Sequence, residues 1–130
     1  MKKLLVLVAA LLLMPDMAYA GRVRDKIVVE ECGACHNAFR PRYLPAQSWQ
    51  TIMRGLDDHF GEDATLDQET IDYITKYLTR HASRSRRWRR VKSPPLRITR
   101  LGWFRGEHGR RAKPRRGGSW ANCRACHRSM

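Results

Sequence analysis

Apolar side chains recur at helical spacing in the middle of the chain. One stripe consists of Trp49, Ile52, Leu56 and His59, and a second consists of Ile71, Ile74 and Leu78. Intervals of three and four residues place side chains on one face of a helix. We therefore predict one helix from the N-cap Ser48 to about His59. The second helix is expected to open at a capping box, Thr65–Gln68, and to end near His81.

The rest of the chain predicts short elements joined by loops. Lys26–Glu31 has an apolar edge and is expected to form a short helix, and Arg97–Thr99 is expected to be extended. Arg84–Lys92 is a basic run around one aromatic ring, Trp88, and is interpreted either as a solvated connector or as a docking surface. Arg110–Gly118 is basic and glycine-rich and is expected to be a mobile loop. These patterns predict a mainly α fold with extensive loops and little or no sheet.

Two short strings contain all four cysteines of the chain. They are Cys32-Gly33-Ala34-Cys35-His36 and Cys123-Arg124-Ala125-Cys126-His127. A C-x-x-C-H string attaches a haem c group, because its thiols add to the porphyrin as thioethers and its histidine binds the iron. We therefore predict two covalent haem c groups, with His36 and His127 as the proximal iron ligands. The attachment residues are Cys32, Cys35, Cys123 and Cys126.

Two other uses of these cysteines are weighed against haem attachment. Four cysteines in an exported chain could form two disulfides, and C-x-x-C pairs could bind zinc. A zinc site, however, needs its two pairs about 15–20 residues apart, and these two pairs lie most of a domain apart. Neither alternative explains why a histidine directly follows both pairs, so haem attachment is favoured.

The N-terminus has the pattern of a secretory signal peptide. Two lysines precede the apolar run Leu4–Leu13, and Ala18-Tyr19-Ala20 is a small-residue cleavage site. The apolar run is too short to span a bilayer, so we expect residues 1–20 to be removed, with an uncleaved membrane tether as the alternative. Because haem c attachment takes place in the bacterial periplasm, that compartment is the expected location.

Positive charge is concentrated in the C-terminal part of the chain. The formal net charge is +14, and residues 80–130 contain seventeen Lys/Arg and one acidic residue, Glu107. We therefore divide the mature chain into an N-terminal haem lobe, residues 21–82, and a basic C-terminal haem lobe, residues 83–130. A charge of this size can indicate nucleic acid binding. Export argues against that partner, so we expect an acidic protein or an anionic membrane surface instead.

Three histidines remain as candidates for the sixth ligand of each iron. His59 is favoured because it shares the apolar face of the first predicted helix, and Met53 on the same helix is the alternative. His108 follows Trp103-Phe104, whose rings are suited to the wall of a haem pocket. His81 lies at a helix end beside the basic run and is less favoured. We expect His59 to serve the first haem and His108 the second, with the crossed arrangement as the alternative.

Several short strings along the mature chain form a recognisable set. They are Leu44-Pro45, Ser48-Trp49, Met53, Leu56, His59-Phe60-Gly61, Ala64, Leu66, Tyr77-Leu78, Pro95, Arg97-Ile98-Thr99, Trp103-Phe104, Glu107-His108 and Cys123–His127. In these residues the chain resembles the small periplasmic dihaem cytochromes c. The resemblance implies a small cytochrome c-like fold with two bis-histidine haems. It also implies a membrane cytochrome b as electron donor and a small monohaem cytochrome c as acceptor.

Electron transfer is the function that these features indicate. Two six-coordinate irons leave no open position for a substrate, so the surrounding residues would tune the potential and provide docking surface. An enzyme or gas-binding protein with one open iron site is an alternative, which carbon monoxide binding would favour. A basic docking module with structural haems is a third hypothesis.

Overall fold

A computed structural model describes residues 23–109 and 120–127, which contain four α-helices and five 3₁₀ turns. The helices are α1 (Lys26–Gly33), α2 (Ala46–Arg54), α3 (Gln68–Arg80) and α4 (Gly102–His108). The 3₁₀ turns are Pro41–Tyr43, Leu56–Asp58, Arg86–Arg90, Ile98–Arg100 and Cys123–Ala125. In these described ranges the β pairing is limited to one bridge between His59 and Glu62. The predicted mainly α fold with little or no sheet is confirmed.

Helix α1 leads directly into the first C-x-x-C-H string. Asp25 caps its N-terminus, because one carboxylate oxygen accepts the Val28 N–H at 3.0 Å. The other carboxylate oxygen accepts a hydrogen bond of 2.6 Å from the hydroxyl of Tyr73 on α3. Val28 is fully buried. Asp25 therefore fixes both the start of α1 and its position against α3.

Helix α2 differs at both ends from the helix predicted between Ser48 and His59. It begins earlier, at Ala46, directly after the extended residue Pro45, which is its N-cap. Ser48 is therefore a buried residue inside the helix and not the N-cap. It ends before Gly55, since glycine is a poor helix former and adopts a non-helical conformation here. His59 therefore lies beyond the helix, after the 3₁₀ turn Leu56–Asp58.

Helix α3 opens slightly later than the predicted capping box suggests. Asp67, and not Thr65, is the N-cap: its carboxylate accepts the Thr70 N–H at 2.9 Å and the Thr70 hydroxyl at 2.7 Å. A carboxylate has acceptor sites for both bonds, whereas the Thr65 hydroxyl donates to a neighbouring carboxylate. The predicted apolar stripe is correct, since Ile74 and Leu78 are buried.

Helices α2 and α3 pack on each other at the centre of the core. The buried apolar residues are Val28, Leu44, Trp49, Met53, Leu56, Ile74, Leu78, Ile98, Leu101 and Phe104. Trp49 Nε1 donates to the Pro41 carbonyl at 2.7 Å, which holds the loop after the first string against α2. This cluster includes residues from both predicted lobes, and the division into residues 21–82 and 83–130 stays a prediction.

The prediction that Arg97–Thr99 is extended is wrong for most of this segment. Arg97 alone is extended, and Ile98–Arg100 forms a 3₁₀ turn. A turn of this kind has three residues per turn, so Ile98 and Leu101 point to the same side. Both are buried, which explains why the apolar contacts favour the turn.

The basic run is anchored to the fold through its single aromatic ring. Trp88 is half-buried against the core, and its Nε1 donates to the Ser83 hydroxyl at 2.9 Å. The flanking arginines are exposed on the 3₁₀ turn Arg86–Arg90. The guanidinium carbon of Arg87 lies 4.4 Å from the centroid of the Trp88 ring. The ring therefore anchors this segment of backbone and leaves the arginine side chains exposed.

Two predictions fall on other parts of the chain. The signal peptide, residues 1–20, and the mobile loop Arg110–Gly118 lie outside the described residues. Among the helices of the described ranges, none is long and apolar enough to cross a membrane.

Candidate functional site

The first C-x-x-C-H string starts in the last turn of α1. Cys32 is half-buried against the core, whereas Cys35 is exposed. The ring nitrogen Nδ1 of His36 donates to the Asn37 carbonyl at 2.7 Å. Because Nδ1 holds the proton, Nε2 keeps the free lone pair that a metal needs.

His59 faces His36 at this first site. Their ring centroids are 6.0 Å apart, and their ring planes differ by 17°. The His59 N–H donates to the Glu62 carbonyl at 2.7 Å, and Phe60 adopts a positive φ of 62°. A tight turn, and not the helical face that the sequence predicts, therefore places His59 opposite His36.

The surroundings of His59 disfavour its protonated form. Burial is the main cause that lowers the pKa of His59 below its ordinary value, and the neighbouring His36 and Arg97 add to it. Neutral imidazole is the form that ligates a metal. The guanidinium carbon of Arg97 lies 4.2 Å from the ring centroid of Phe60, so this arginine stands at the edge of the first site.

The second site repeats this pairing on different elements. The His127 N–H donates to the Cys123 carbonyl at 2.9 Å, and His108 is the last residue of α4. The ring centroids of the two histidines are also 6.0 Å apart, but their planes cross at 72°. His108 Nδ1 donates to the Phe104 carbonyl at 2.9 Å, which again leaves Nε2 free.

Aromatic rings support both sites. At the second site, Phe104 stacks on His108 with centroids 3.9 Å apart and planes 15° apart. Trp120 stands at 83° to the His108 ring with a centroid distance of 5.9 Å. At the first site, Phe39 stacks on His36 at 5.3 Å and 28°. The second site thus has the closer ring contact with its histidine.

The two attachment strings are neighbours in space. Residues 33–37 and 121–123 line one cavity of about 170 Å³. The side chain of Asn37 also forms a hydrogen bond with the Cys123 thiol. Because Asn37 accepts from His36 through its carbonyl, this residue links the first imidazole to the second string.

The two separations of 6.0 Å fit an iron between each pair of rings. A metal–imidazole bond is about 2 Å long and the ring adds about 1 Å to its centroid, so two imidazoles on one metal have centroids about 6 Å apart. Two free thiols accompany each pair, as thioether attachment requires. The residues present therefore fit two haem c groups.

The alternatives for the cysteines are not supported by the described residues. All four cysteines are free, so none is in a disulfide. No group of three or more His, Cys, Asp and Glu side chains in the described ranges could hold a metal ion. Burial raises the pKa of the Cys32 thiol to about 11 and also raises the pKa of Cys123. Zinc binds thiolates, which a raised pKa disfavours.

The other two candidate ligands are engaged elsewhere. His81 is exposed, and its Nδ1 donates to the Tyr77 carbonyl at 2.8 Å while its ring packs on the Tyr77 ring at 4.6 Å. Met53 is buried in the core. The structure brings His59 to His36 and His108 to His127, and it shows no ring contact between His81 and either pair.

Sequence reasoning missed the residues that orient the histidines. Phe104 and His108 are four residues apart, a spacing that predicts contact on a helix, so this stack could have been found. The contact between Arg97 and Phe60 joins distant parts of the chain. No local pattern signals such a contact, although both residues belong to the strings quoted above. The role of Asn37 between the two strings also depends on tertiary structure.

Two C-x-x-C-H strings, each with a second imidazole opposite the first, indicate a c-type cytochrome with two haems. The family model of dihaem cytochrome c matches residues 28–130. No curated protein sequence gave a significant match.

Solved structures agree with the family match. DHC purified from Rhodobacter sphaeroides is 40% identical with a TM-score of 0.69, over 83% of this chain and 94% of that chain. A second structure, a diheme cytochrome c from Rhodobacter sphaeroides, is 40% identical with a TM-score of 0.72, over 84% and 94%. A diheme cytochrome type c from Shewanella baltica OS155 is 32% identical with a TM-score of 0.63, over 79% and 80%.

The chain belongs to the dihaem cytochrome c family. It is an electron-transfer cytochrome, and its cofactors are two covalently attached haem c groups. Each haem supplies an iron that gains and loses one electron. The residues of this chain attach the haems, orient them and set their surroundings.

Proposed function

We propose that the protein carries electrons in the periplasm between a membrane cytochrome b, or another quinol-linked donor, and a small soluble redox protein such as a monohaem cytochrome c. The main support is the pair of opposed imidazoles at each site, both 6.0 Å apart. An iron with two imidazole ligands has no open position, so the protein is not an enzyme in this proposal. It exchanges electrons through the edges of its haems.

Each haem has its own set of residues in this proposal. The first haem is held by Cys32, Cys35, His36 and His59, and the second by Cys123, Cys126, His127 and His108. The short ring distances within each set support this pairing over the crossed one, in which His59 would serve the second haem. His36 and His127 are the proximal ligands, because each follows its own attachment string.

The soluble partner docks on the basic segment in this proposal. That segment consists of Arg86, Arg87, Arg89 and Arg90, whose exposed side chains line a cavity of about 470 Å³. The chain has no acidic residue between Asp72 and Glu107, so neighbouring residues in the sequence do not offset this charge. A positive surface steers an acidic protein and raises its encounter rate. Nucleic acid is not the partner, because the protein is exported.

Axial ligation is tested by spectroscopy of the holoprotein. We expect two low-spin haems that bind no carbon monoxide after reduction. His59→Ala should turn one haem high-spin and open it to carbon monoxide, whereas the control His81→Ala should leave the spectrum unchanged. Carbon monoxide binding by the native reduced protein would contradict the proposal and favour the enzyme or gas-binding alternative.

Docking is tested by the salt dependence of electron transfer to an acidic monohaem cytochrome. The rate should fall as salt rises, because salt screens exposed charges over about 10 Å. Neutralising the four arginines of the basic segment should weaken this dependence. A control with the same charge change neutralises the exposed residues Lys26, Arg42, Arg54 and Lys76. A rate that is independent of salt, or equal effects of both variants, would contradict the assignment.

Export is tested by fractionation and mass spectrometry of the expressed protein. We expect the haem-loaded chain in the periplasm, lacking residues 1–20 and carrying the mass of two haems. A haem-loaded chain found with the membrane and still carrying these residues would favour the uncleaved tether.

A further inference from the structure

The two histidine pairs have the same separation but different ring orientations. Both pairs of centroids are 6.0 Å apart. The planes of His36 and His59 differ by only 17°, whereas those of His108 and His127 cross at 72°. The two haem groups would therefore have axial ligands at the same distance but with different angles between their ring planes.

The near-parallel orientation at the first site is fixed by contacts on both histidines. The His36 ring is held by its Nδ1 hydrogen bond to the Asn37 carbonyl at 2.7 Å and by its stack on Phe39. The backbone of His59 is held by the bridge to Glu62, and its ring packs on the Phe60 ring with centroids 4.8 Å apart and planes 57° apart. These contacts belong to the loop after α1 and to the turn after α2, so the first orientation is set by the fold around the core.

The crossed orientation at the second site is fixed mainly on His108. Its Nδ1 hydrogen bond to the Phe104 carbonyl and its stack on the Phe104 ring, 15° from parallel, define its plane. Trp120 stands nearly perpendicular to both rings, at 83° to His108 and 86° to Phe104. Phe104 is itself buried in the core. His108 is therefore confined between a buried ring and the ring that precedes the second string.

We propose that Phe104 and Trp120 are positioning residues that hold the axial imidazoles of the second haem crossed, while those of the first haem are near-parallel. This inference rests on the proposed bis-histidine ligation. Each imidazole interacts with the iron orbital perpendicular to its own plane. Parallel rings act on the same orbital and split the pair of iron dπ orbitals, whereas crossed rings act on different orbitals and leave the pair nearly degenerate.

The electronic difference has a direct signature in the electron paramagnetic resonance spectrum of the oxidised holoprotein. A large orbital splitting gives an ordinary rhombic low-spin signal, and near-degeneracy gives a strongly anisotropic signal with its main feature at much lower field. We expect one signal of each kind, in equal amounts. Two rhombic signals, or two strongly anisotropic ones, would overturn the proposal.

Two conservative variants test the positioning residues. Phe104→Leu and Trp120→Leu each remove a ring beside His108 while leaving both histidines in place. Each should shift the strongly anisotropic signal toward the rhombic type and leave the other signal unchanged. The matched control Phe39→Leu removes the ring stacked on His36 and should alter the rhombic signal alone. If both ring variants leave the anisotropic signal unchanged, Phe104 and Trp120 do not set the crossed plane and that assignment fails.

The outcomes separate this inference from the proposed function. Two low-spin haems of the same kind would leave two bis-histidine electron-transfer centres and refute only the difference in orientation. A high-spin signal in the native protein would refute the ligation itself. Because the wild-type spectrum alone tests the orientations, the inference stays falsifiable even if a ring variant does not fold.

Discussion

The two haem sites contain the same kinds of residues but stand on different parts of the fold. The first string leaves α1, a helix of eight residues tied to α3 by the Asp25–Tyr73 hydrogen bond. The second string forms a 3₁₀ turn of three residues, and Cys126 and His127 within it are exposed. The described polypeptide contacts therefore hold the first string to the core through Cys32, whereas no described residue of the second string packs against that core.

This difference between the two attachment strings indicates how a small chain can hold two haems. A core of limited size cannot enclose both sites equally. Cys32 of the first string packs against the ten buried apolar residues, whereas no described residue of the second string is recorded in contact with them. The second site compensates with aromatic contacts, since the stack of Phe104 on His108 is the closest ring pair recorded in the described residues. The two sites should therefore respond unequally to the same change.

Removal of one haem at a time should show the largest difference in stability between the two sites. The variant Cys32→Ala/Cys35→Ala should lose the first haem and at least about 4 kcal/mol of unfolding free energy, an exceptional loss, because its attachment residue Cys32 packs against the core. The variant Cys123→Ala/Cys126→Ala should lose the second haem and no more than about 3 kcal/mol. Thermal unfolding followed by circular dichroism compares the two. A larger loss from the second variant would contradict this ranking.

Reduction potentials should show a smaller difference between the sites. Both haems should titrate below the range of haems with His and Met ligands, because a second imidazole favours the ferric state. Arg97 lies beside the first site and its positive charge favours the ferrous state. Arg97→Gln should therefore lower the potential of the first haem by a few tens of millivolts, on the order of 1 kcal/mol for an exposed charge.

The control for this titration is Arg100→Gln, which removes an exposed charge three residues after Arg97, at the end of the 3₁₀ turn that Arg97 precedes. It should change the first potential less than Arg97→Gln does. Equal shifts of both haems in the Arg97 variant would show a general charge effect and would contradict a site-specific role. Potentials in the high range for both haems would contradict the ligand assignment.

Loss of the N-cap of α1 or α3 should lower the unfolding free energy less than loss of the first haem does. The hydrogen bond from Tyr73 lowers the pKa of Asp25 below its ordinary value of 3.8. The resulting stabilisation is complete above that value and is lost as the pH falls through the lower pKa of the folded state. At neutral pH, Asp25→Ala should cost about 0.5–2 kcal/mol, as loss of an N-cap does. The difference from wild type should shrink in acid.

Asp67→Ala is the matched variant for this prediction. It also removes an N-cap aspartate, but the recorded hydrogen bonds of the Asp67 side chain stay within α3. Asp25→Ala should therefore perturb the spectrum of the first haem, because α1 leads into its attachment string, whereas Asp67→Ala should not. Equal spectral changes in the two variants would mean that Asp25 acts only as a cap.

The sequence predicts the helices and the pairing of histidines better than the means by which each histidine is placed. The stripe of Ile74 and Leu78 depends on local spacing and is found correctly. The sequence predicts His59 as a ligand because it continues a helical face, yet Gly55 ends that helix and a turn places the ring opposite His36. The exact end of a helix depends on which neighbouring side chain caps it. At the start of α3 the cap is Asp67, and not Thr65 as the sequence pattern predicts.

Contacts between distant segments could not be predicted from local patterns. Arg97 meets Phe60, and Tyr73 meets Asp25, only after the helices have packed. The ring angles of 17° and 72° likewise depend on neighbours such as Trp120, which lies twelve residues after His108 in the chain. The sequence therefore predicts which residues lie at the sites, but their orientations depend on the packed fold.

The near-infrared magnetic circular dichroism of the oxidised holoprotein tests the ligation of both irons most directly, because its charge-transfer bands report the axial ligand pair. We predict bands of bis-imidazole haem with an intensity that corresponds to two irons per chain. A band of methionine-ligated haem, or a high-spin band from either iron, would contradict the account of two bis-histidine electron-transfer centres.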